Sequence, residues 1–229
     1  MSKTNRKTPV YPTAVYLFML CAFTSCLNPR MVNRWVATHY NGQVPPPAEK
    51  KNESITVVST LPVIDEKLSS TKKDVSHLLP LIVYIQYDYK NICTLNPQIP
   101  VGNFTSTVRT YSGKGLKQKL NGNHLELTIE QMPNVMVVDD KGKMYLLLVG
   151  LEWLSVVPKP QDMVVSYRLL NPANEEIRKG VITIRDKNQG LSLGMFQSLK
   201  KLSWRYLDQY DANITSMSRN FVDRLTAEL

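Results

Sequence analysis

Residues 196–229 read FQSLKKLSWRYLDQYDANITSMSRNFVDRLTAEL, and this stretch decides the fold because its apolar residues recur at steps of three or four. Such spacing places them on one stripe of an α-helix. We predict a helix of about 35 residues, about 50 Å long, with a bend or break at Asp211-Ala212-Asn213. A coiled-coil seam is the alternative, but the mixture of aromatic and aliphatic residues fits packing against a sheet better.

The segment before this helix predicts strands. Residues 163–184 read MVVSYRLLNPANEEIRKGVITI, in which two apolar runs flank Asn171-Pro172-Ala173-Asn174, so we predict a β-hairpin there. Apolar and polar residues also alternate in Leu81–Lys90, His124–Glu130 and Met144–Val157, which is typical of strands with one wet face.

A second helix is predicted from Phe104 to Leu120, with Asn103 as its cap and an interruption near Gly113 and Gly115. With a first strand at Ile55–Val58, the order is strand, helix, three or four strands, helix. We therefore expect an α+β fold: a mainly antiparallel sheet of four to five strands with two helices on one face, the C-terminal helix being long.

The first 25 residues have the layout of a secretory signal. A cationic start with Lys3, Arg6 and Lys7 precedes an apolar run from Ala14 to Phe23 and then Thr24-Ser25-Cys26. The run is about ten residues, whereas a membrane span needs about twenty. We interpret residues 1–25 as an export signal that is removed.

Phe23-Thr24-Ser25-Cys26 resembles the lipobox of bacterial lipoproteins, with Phe23 where Leu is usual. The resemblance implies that Cys26 carries a diacylglycerol and an amide-linked acyl chain such as palmitate, so that the protein is attached to a membrane. Because Leu27 stands where Asp would retain a lipoprotein at the inner membrane, outer-membrane attachment is implied, on the periplasmic side. The alternative is an ordinary secreted protein that is cleaved nearby.

Charge and cysteine content agree with export. Removing residues 1–25 removes three positive and no negative charges, so the formal charge falls from +9 to +6. That surplus suits an anionic membrane surface or an acidic partner, and we expect no nucleic-acid partner for an exported chain. Cys21 lies in the signal and Cys26 carries lipid, which leaves Cys93, predicted to be a buried small hydrophobe.

Three segments are therefore expected: residues 1–25 as signal peptide, 26–53 as lipidated cysteine and flexible tether, and 54–229 as a periplasmic α+β domain. The tether is inferred from Pro45-Pro46-Pro47, because a triple proline favours an extended segment. Trp35 and Tyr40 within it are expected either at the lipid headgroups or docked on the protein's own surface.

The mature chain offers little for catalysis. We place His39 in the tether, His77 in a polar loop and His124 beside Glu126 on an outward strand face, and no metal, cofactor or nucleophile motif is present. We expect no enzyme activity, cofactor or metal. Asp139-Asp140-Lys141-Gly142 is interpreted as a turn rather than a metal loop, and His124 with Glu126 as exposed cross-strand residues rather than metal ligands. The basic residues of the last helix could face anionic lipid or form a solvated face; they are Lys200, Lys201, Arg205, Arg219 and Arg224.

The order of elements over Ile55–Leu229 is similar to that of two families of envelope lipoproteins: auxiliary lipoproteins of ABC-type transport systems, and the lipoprotein of the lipopolysaccharide-assembly barrel. The resemblance implies a non-catalytic accessory or scaffolding part of an envelope transport or secretion assembly, acting through protein–protein interaction. The alternative is a lipoprotein that binds a lipid or other apolar ligand, and an envelope hydrolase is a third reading. A ligand binder should have a sizeable apolar pocket, a docking part an exposed apolar patch, and a hydrolase a nucleophile and base within hydrogen-bond reach.

Overall fold

The computed structural model describes residues 28–46, 54–62, 67–81, 84–112, 114–145, 149–193 and 198–229. These ranges contain four helices and nine strands. In chain order they are α1 Pro29–His39, β1 Ile55–Ser59, β2 Ser69–Pro80, β3 Tyr84–Leu95, α2 Gln98–Tyr111, α3 Lys114–Leu120, β4 His124–Gln131, β5 Val135–Tyr145, β6 Val149–Pro158, β7 Met163–Leu170, β8 Glu176–Ile184, β9 Leu191–Ser192 and α4 Leu199–Glu228.

The strands form two sheets. One has four strands in the order β1-β4-β7-β8, with β1 parallel to β4, and the other has five strands in the order β2-β3-β5-β6-β9, all antiparallel. The predicted α+β class with mainly antiparallel strands and a long C-terminal helix is confirmed. Alternation in a sequence predicts strands but not their partners, so the division into two sheets was not foreseen.

Helix α4 joins the two sheets. It contacts β8 of the four-stranded sheet and β6 and β9 of the five-stranded sheet, and α2 packs along it. The Tyr210 hydroxyl donates a hydrogen bond to the Pro133 carbonyl at 2.7 Å, and the rings of Phe104 and Phe221 lie 5.3 Å apart. One continuous apolar core therefore includes residues from both sheets.

The predicted break in this helix is wrong, because Leu199–Glu228 is helical throughout its 30 residues. The Ser198 side chain accepts a hydrogen bond from the Lys201 backbone N–H at 3.3 Å and caps the first turn. Asp211 and Asn213 reach residues outside the helix: Asp211 accepts from the Tyr40 hydroxyl, and Asn213 donates to Asp186. These polar residues attach the helix to its neighbours instead of ending it.

The expected tether also differs from the structure, because residues 29–39 within it form helix α1. The Asn28 side chain accepts a hydrogen bond from the Arg30 backbone N–H at 2.9 Å and caps the N-terminus of α1. Pro29 suits the first helical position, where no backbone N–H donor is needed. Val32 and Val36 are fully buried against the core. Two buried residues four positions apart are too few to reveal an amphipathic helix by periodicity. Residues 47–53 lie outside the described ranges.

Three further predictions can be compared with the structure. The predicted polar loop around His77 is wrong, because Ser69–Pro80 is strand β2 at the edge of the five-stranded sheet. The predicted turn Asp139–Gly142 lies inside β5. The predicted helix 104–120 begins earlier, at Gln98, and its predicted interruption is confirmed between α2 and α3.

The predicted hairpin around Asn171–Asn174 is confirmed, since β7 and β8 pair across it. The Asn171 side-chain oxygen accepts from the backbone N–H groups of Ala173 and Glu175, each at 2.9 Å. Asn174 has a φ of +62°, a left-handed conformation that Asn tolerates better than most residues.

Candidate functional site

The predicted lipidation site, Cys26, lies outside the described residues, as do residues 1–25 and Leu27. Among the helices that the structure describes, none is long and apolar enough to cross a membrane. Cys93 is buried, as predicted. Burial raises the pKa of its thiol to about 11, although hydrogen bonds with Thr71 and Ser69 oppose that shift, so the thiol is protonated and unreactive at neutral pH.

His39, at the end of α1, faces helix α4. Its Nε2 atom lies 3.7 Å from Asp208 Oδ1 and 4.0 Å from Asp211 Oδ2. The neighbouring Tyr40 hydroxyl donates to Asp211 at 3.1 Å, and burial followed by the Asp211 charge raises the pKa of this phenol. This cluster holds α1 against α4 rather than forming an open site.

The structure decides between the two positions predicted for Trp35 and Tyr40, the lipid headgroups and the protein's own surface. Both side chains are partly buried against the core, and the Trp204 indole N–H donates to the Trp35 carbonyl at 3.0 Å. These aromatic residues dock on the protein's own surface, which is the second of the two predicted positions.

His77 lies on edge strand β2, and His124 lies on β4 with its Nε2 atom 3.0 Å from the Thr56 hydroxyl. This hydroxyl–imidazole pair is solvent-accessible on an open sheet face. The nearby Glu126 carboxylate binds Arg168 at 3.3 Å instead of orienting the imidazole. A base without an orienting group or an enclosing cleft is a poor activator of a nucleophile.

Metal ligands do not converge in the part of the chain that the structure describes, where no group of three or more His, Cys, Asp or Glu could hold a metal ion. Asp139 pairs with Lys141 at 3.3 Å on the outer face of the five-stranded sheet. Asp140 points to the opposite, inner face and is buried. Burial, then the nearby Glu152 and Asp139 charges, raise the pKa of Asp140 to about 6.

Three cationic residues of α4, Lys200, Arg219 and Arg224, contact other residues of the protein. Lys200 Nζ lies 4.5 Å from the centre of the Trp204 ring, and the Arg219 guanidinium lies 5.6 Å from the centre of the Tyr111 ring. Arg224 donates to the Thr183 carbonyl at 3.1 Å. These contacts favour a solvated, structural face over a dedicated headgroup site.

Several clefts open on the described surface, and two of them adjoin α1 and α2. One of about 420 Å³ is lined by residues of α1, Gly42 and residues 67–69. Another of about 360 Å³ lies between α2 and α4, lined by Ser106, Thr107, Thr110, Tyr111, Thr215 and Arg219. Both are open to solvent and carry many polar side chains, unlike the enclosed apolar cavity that a lipid carrier needs.

An exposed apolar surface lies instead at one end of the five-stranded sheet. There β2, β3, β5 and β6 continue side by side, and we call residues 76–81, 84–88, 141–145 and 149–153 the apolar arm. Its tip is the place where β3 begins, β5 ends and β6 begins. There Tyr84 lies opposite Tyr145, and Tyr145 lies opposite Val149. On β3 the continuous core ends at Tyr89; nearer the tip, Tyr87 packs partly against that core and Ile85 is buried.

Large apolar side chains of the arm are in water. Leu78, Leu79, Leu151 and Trp153 are 46%, 50%, 52% and 54% exposed. Leu81 and Tyr145 are exposed as well. The first four form two groups, one on β2 and one on β6, because Gln86 and Lys143 lie between Leu79 and Leu151. Grouped apolar residues exposed on one element are typical of an interaction site.

On one face of the arm, Gly142 leaves room for the ring of Tyr87. Tyr87 lies directly opposite Gly142 on β5, and Gly142 lies opposite Glu152 on β6. A Cβ atom on residue 142 would overlap the Tyr87 ring, so the glycine lets this ring lie across β5 and hydrogen-bond with Glu152. The Tyr87 and Tyr89 rings stack 5.7 Å apart, which stiffens the base of the arm.

Two uncharged apolar segments of the sequence point to this site. Residues 78–85 read LLPLIVYI and residues 144–151 read MYLLLVGL, each without a charged residue. The alternation predicts strands with one wet face over residues 81–85 and 144–151, and no strand over residues 78–80. Only the pairing of β3 with β5 brings Tyr84–Asp88 and Lys141–Tyr145 to the same end of one sheet.

The exposed edge of the four-stranded sheet offers a second, smaller apolar surface. Ile177 and Val181 on β8 are largely exposed. They alternate with charged residues, including Arg178 and Lys179, which protect an edge strand against unwanted pairing.

Comparison with protein-family models, curated proteins and solved structures finds no match for this chain.

Proposed function

We propose that this protein is a bacterial lipoprotein, anchored through acyl chains on Cys26 to the periplasmic side of the outer membrane. In this proposal it acts as a non-catalytic accessory or scaffolding component of an envelope transport or secretion assembly. Its folded domain attaches to other components of the envelope rather than enclosing or transforming a small molecule.

The single observation that carries this proposal is the apolar arm. A lipid carrier places its apolar surface inside a cavity, whereas a docking part places it outside. Here the apolar residues Leu79, Leu151 and Trp153 are on the outside, and the clefts beside α1 and α2 are open and partly polar. The alternative of a lipid or apolar-ligand carrier therefore has less support.

The anchor is tested by the intact mass of protein extracted from membranes, for the wild type and Cys26→Ala. We expect the wild type to begin at residue 26 and to carry acyl mass, and Cys26→Ala to lack that mass. A wild-type protein that carries no acyl mass, or that still begins at Met1, contradicts the lipoprotein assignment.

The accessory role is tested by crosslinking in living cells, with a photoreactive amino acid placed at Leu79, Ile177 or Val181 of the full chain. We expect at least one position to capture a component of an envelope transport or secretion system, and the Cys26→Ala background to lose that capture because the domain leaves the membrane. If all three positions capture no such component while a small apolar molecule co-purifies with the protein, the proposal is overturned in favour of a ligand carrier.

A further inference from the structure

We infer that the free edge of β2 pairs with β2 of a second copy of this chain. The two strands run antiparallel, with His77 opposite His77 of the second copy. This inference goes beyond the proposed function, because it assigns the β2 side of the apolar arm to self-association and leaves β6 and β8 for other components. It does not depend on the lipid at Cys26.

Alternate residues of β2 direct their backbone groups away from the sheet. Leu81 and Tyr84 exchange both backbone hydrogen bonds, at 2.7 and 3.3 Å, and β2 pairs with β3 in the same register over residues 75–80. Hydrogen-bonded and non-hydrogen-bonded pairs alternate along an antiparallel ladder. Ser76 and Leu78 therefore direct their N–H and C=O groups to the free edge. Among the strands that the structure describes, none lies beside that edge.

The free edge is unprotected over one short segment. Edge strands are usually protected against pairing by charged residues, prolines or β-bulges. In β2 such features flank residues 75–79: the ladder is interrupted at Asp74, between Lys73 and Val75, and Pro80 has no N–H to donate. The segment between them reads VSHLL and contains no Asp, Glu, Lys or Arg.

One antiparallel register matches this segment to itself. With the two copies of His77 opposite each other, Ser76 lies opposite Leu78 of the second copy, so the outward backbone groups of both strands bond to each other. The same register places Pro80, which lacks a donor, opposite Asp74, where the ladder is already interrupted. A shift by two residues places either Pro80 opposite Ser76, whose carbonyl then lacks a donor, or Leu78 opposite the bulge.

The side chains of this register are compatible on both faces of the sheet. Val75 lies opposite Leu79 of the second copy on the face of His77, so an apolar pair flanks the two imidazoles on each side. On the other face Leu78 lies opposite Ser76. Leu78 and Leu79 are 46% and 50% exposed in the single chain, and the pairing covers part of both. The second copy thus gives the β2 group of apolar residues a partner of matching pattern.

The pairing places both copies of α1 on the same side of the dimer. Strands that pair in this way are related by a two-fold axis perpendicular to the sheet, so the core faces of both five-stranded sheets lie on one side. Helix α1 packs on that face, where Asn33 accepts hydrogen bonds from Ser69 and Thr71 at 2.9 and 2.6 Å. Two copies anchored at Cys26 can therefore share one membrane, which raises their effective concentration for pairing.

Cysteine trapping in the purified full-length protein tests the register. The Cα atoms of a non-hydrogen-bonded pair lie about 4.5 Å apart, which a disulfide can bridge. We expect His77→Cys to form a disulfide-linked dimer on mild oxidation, measured by electrophoresis without reductant. The wild type, oxidised alongside, gives the background from its own cysteines.

Leu79→Cys is the matched control, because it lies on the same face of β2 and is similarly exposed. In the inferred register it lies four residues along the strand from its own copy, about 13 Å away. That distance is too long for a disulfide, so we expect at least about tenfold less dimer than with His77→Cys.

Two substitutions of Ser76, made in the His77→Cys background, test whether the backbone mediates the pairing. Ser76→Pro removes an N–H that points away from β3, a change that an edge strand tolerates. The trapped fraction should fall at least about tenfold, because each dimer loses two hydrogen bonds. Ser76→Ala keeps the N–H and should leave the trapped fraction unchanged. Thermal unfolding verifies that both variants are folded.

A charge substitution replaces Ser76→Pro if that variant does not fold. Val75→Asp with Leu79→Asp places carboxylates opposite each other in the inferred register, and we expect the trapped dimer to be lost. Gln86→Asp is the control, because Gln86 is exposed on the same face one strand further from the edge. It should leave the trapped fraction unchanged.

Three results overturn the inference: no dimer with His77→Cys above the wild-type background, equal trapping with Leu79→Cys, or equal trapping with folded Ser76→Pro and Ser76→Ala. None of them decides the proposed function, because its crosslinking positions Ile177 and Val181 lie on β8. If the dimer is trapped but no position captures an envelope component, the inference stands and the proposed accessory function falls.

Discussion

Gly142 is the residue on which the shape of the apolar arm depends, because the Tyr87 ring occupies the space above it. We expect Gly142→Ala to displace the ring and to lower the free energy of unfolding by about 1–3 kcal/mol. Gly150→Ala is the control in the same sheet, since its Cβ would meet only Met144 Cε at 4.0 Å. Denaturant unfolding measures both variants. Equal effects at the two glycines would contradict the role of the Tyr87 ring.

Asp140 makes the stability of the protein depend on pH. Burial raises the pKa of this carboxyl from 3.8 to about 6, so the folded protein holds a proton that the unfolded chain has released between those values. The free energy of unfolding therefore falls as pH rises from about 4 to about 6, and stays low above that. We expect Asp140→Asn to be more stable than the wild type at neutral pH by on the order of 2 kcal/mol. The difference should disappear near pH 4, and a difference that is constant with pH in denaturant unfolding would refute this account.

At the scale of elements, helix α1 is a docked part of the domain because Val32 and Val36 are fully buried. We expect Val36→Asp to release the helix, because an unpaired charge cannot stay in the core. Hydrogen exchange of residues 29–39 should then become fast, and the emission of Trp35 and Trp204 should shift to the red. Met31→Asp is the control, since Met31 is exposed on the same helix. If neither variant changes the hydrogen exchange of residues 29–39, the burial of Val36 is not what holds α1 on the domain.

Elements whose buried face appears as a regular apolar period could be predicted from the sequence, and elements without such a period could not. Strand β4 alternates because Leu125, Leu127 and Ile129 face the core. Strand β2 is an edge strand whose residues 76–79 are all exposed, so its sequence has no period of two. In β5 the polar residues Asp139-Asp140-Lys141-Gly142 suggest a turn, but pairing with both β3 and β6 keeps them extended.

The candidate site was missed for a related reason. Its apolar segments are visible in the sequence at 78–85 and 144–151, but each is compatible with a buried strand. Exposure depends on which strands are neighbours and on where the core ends. Both are set by contacts between residues far apart in the chain, such as Tyr84 with Tyr145. Periodicity is a local property and carries no such information.

At the scale of the whole molecule, the two sheets should unfold together, because α4 contacts both of them and one core includes both. Leu202 and Phe221, fully buried in opposite halves of α4, test this. We expect Leu202→Ala to cost about 2–5 kcal/mol and Phe221→Ala about 3–5 kcal/mol.

Each of these two variants should lower the protection of β6 and β8 against hydrogen exchange to the same extent, because loss of α4 packing removes the support of both sheets at once. The exposed Val181→Asp change should leave the protection of β6 unaltered. If Leu202→Ala weakens only the five-stranded sheet, or Phe221→Ala only the four-stranded sheet, the sheets are separate folding units.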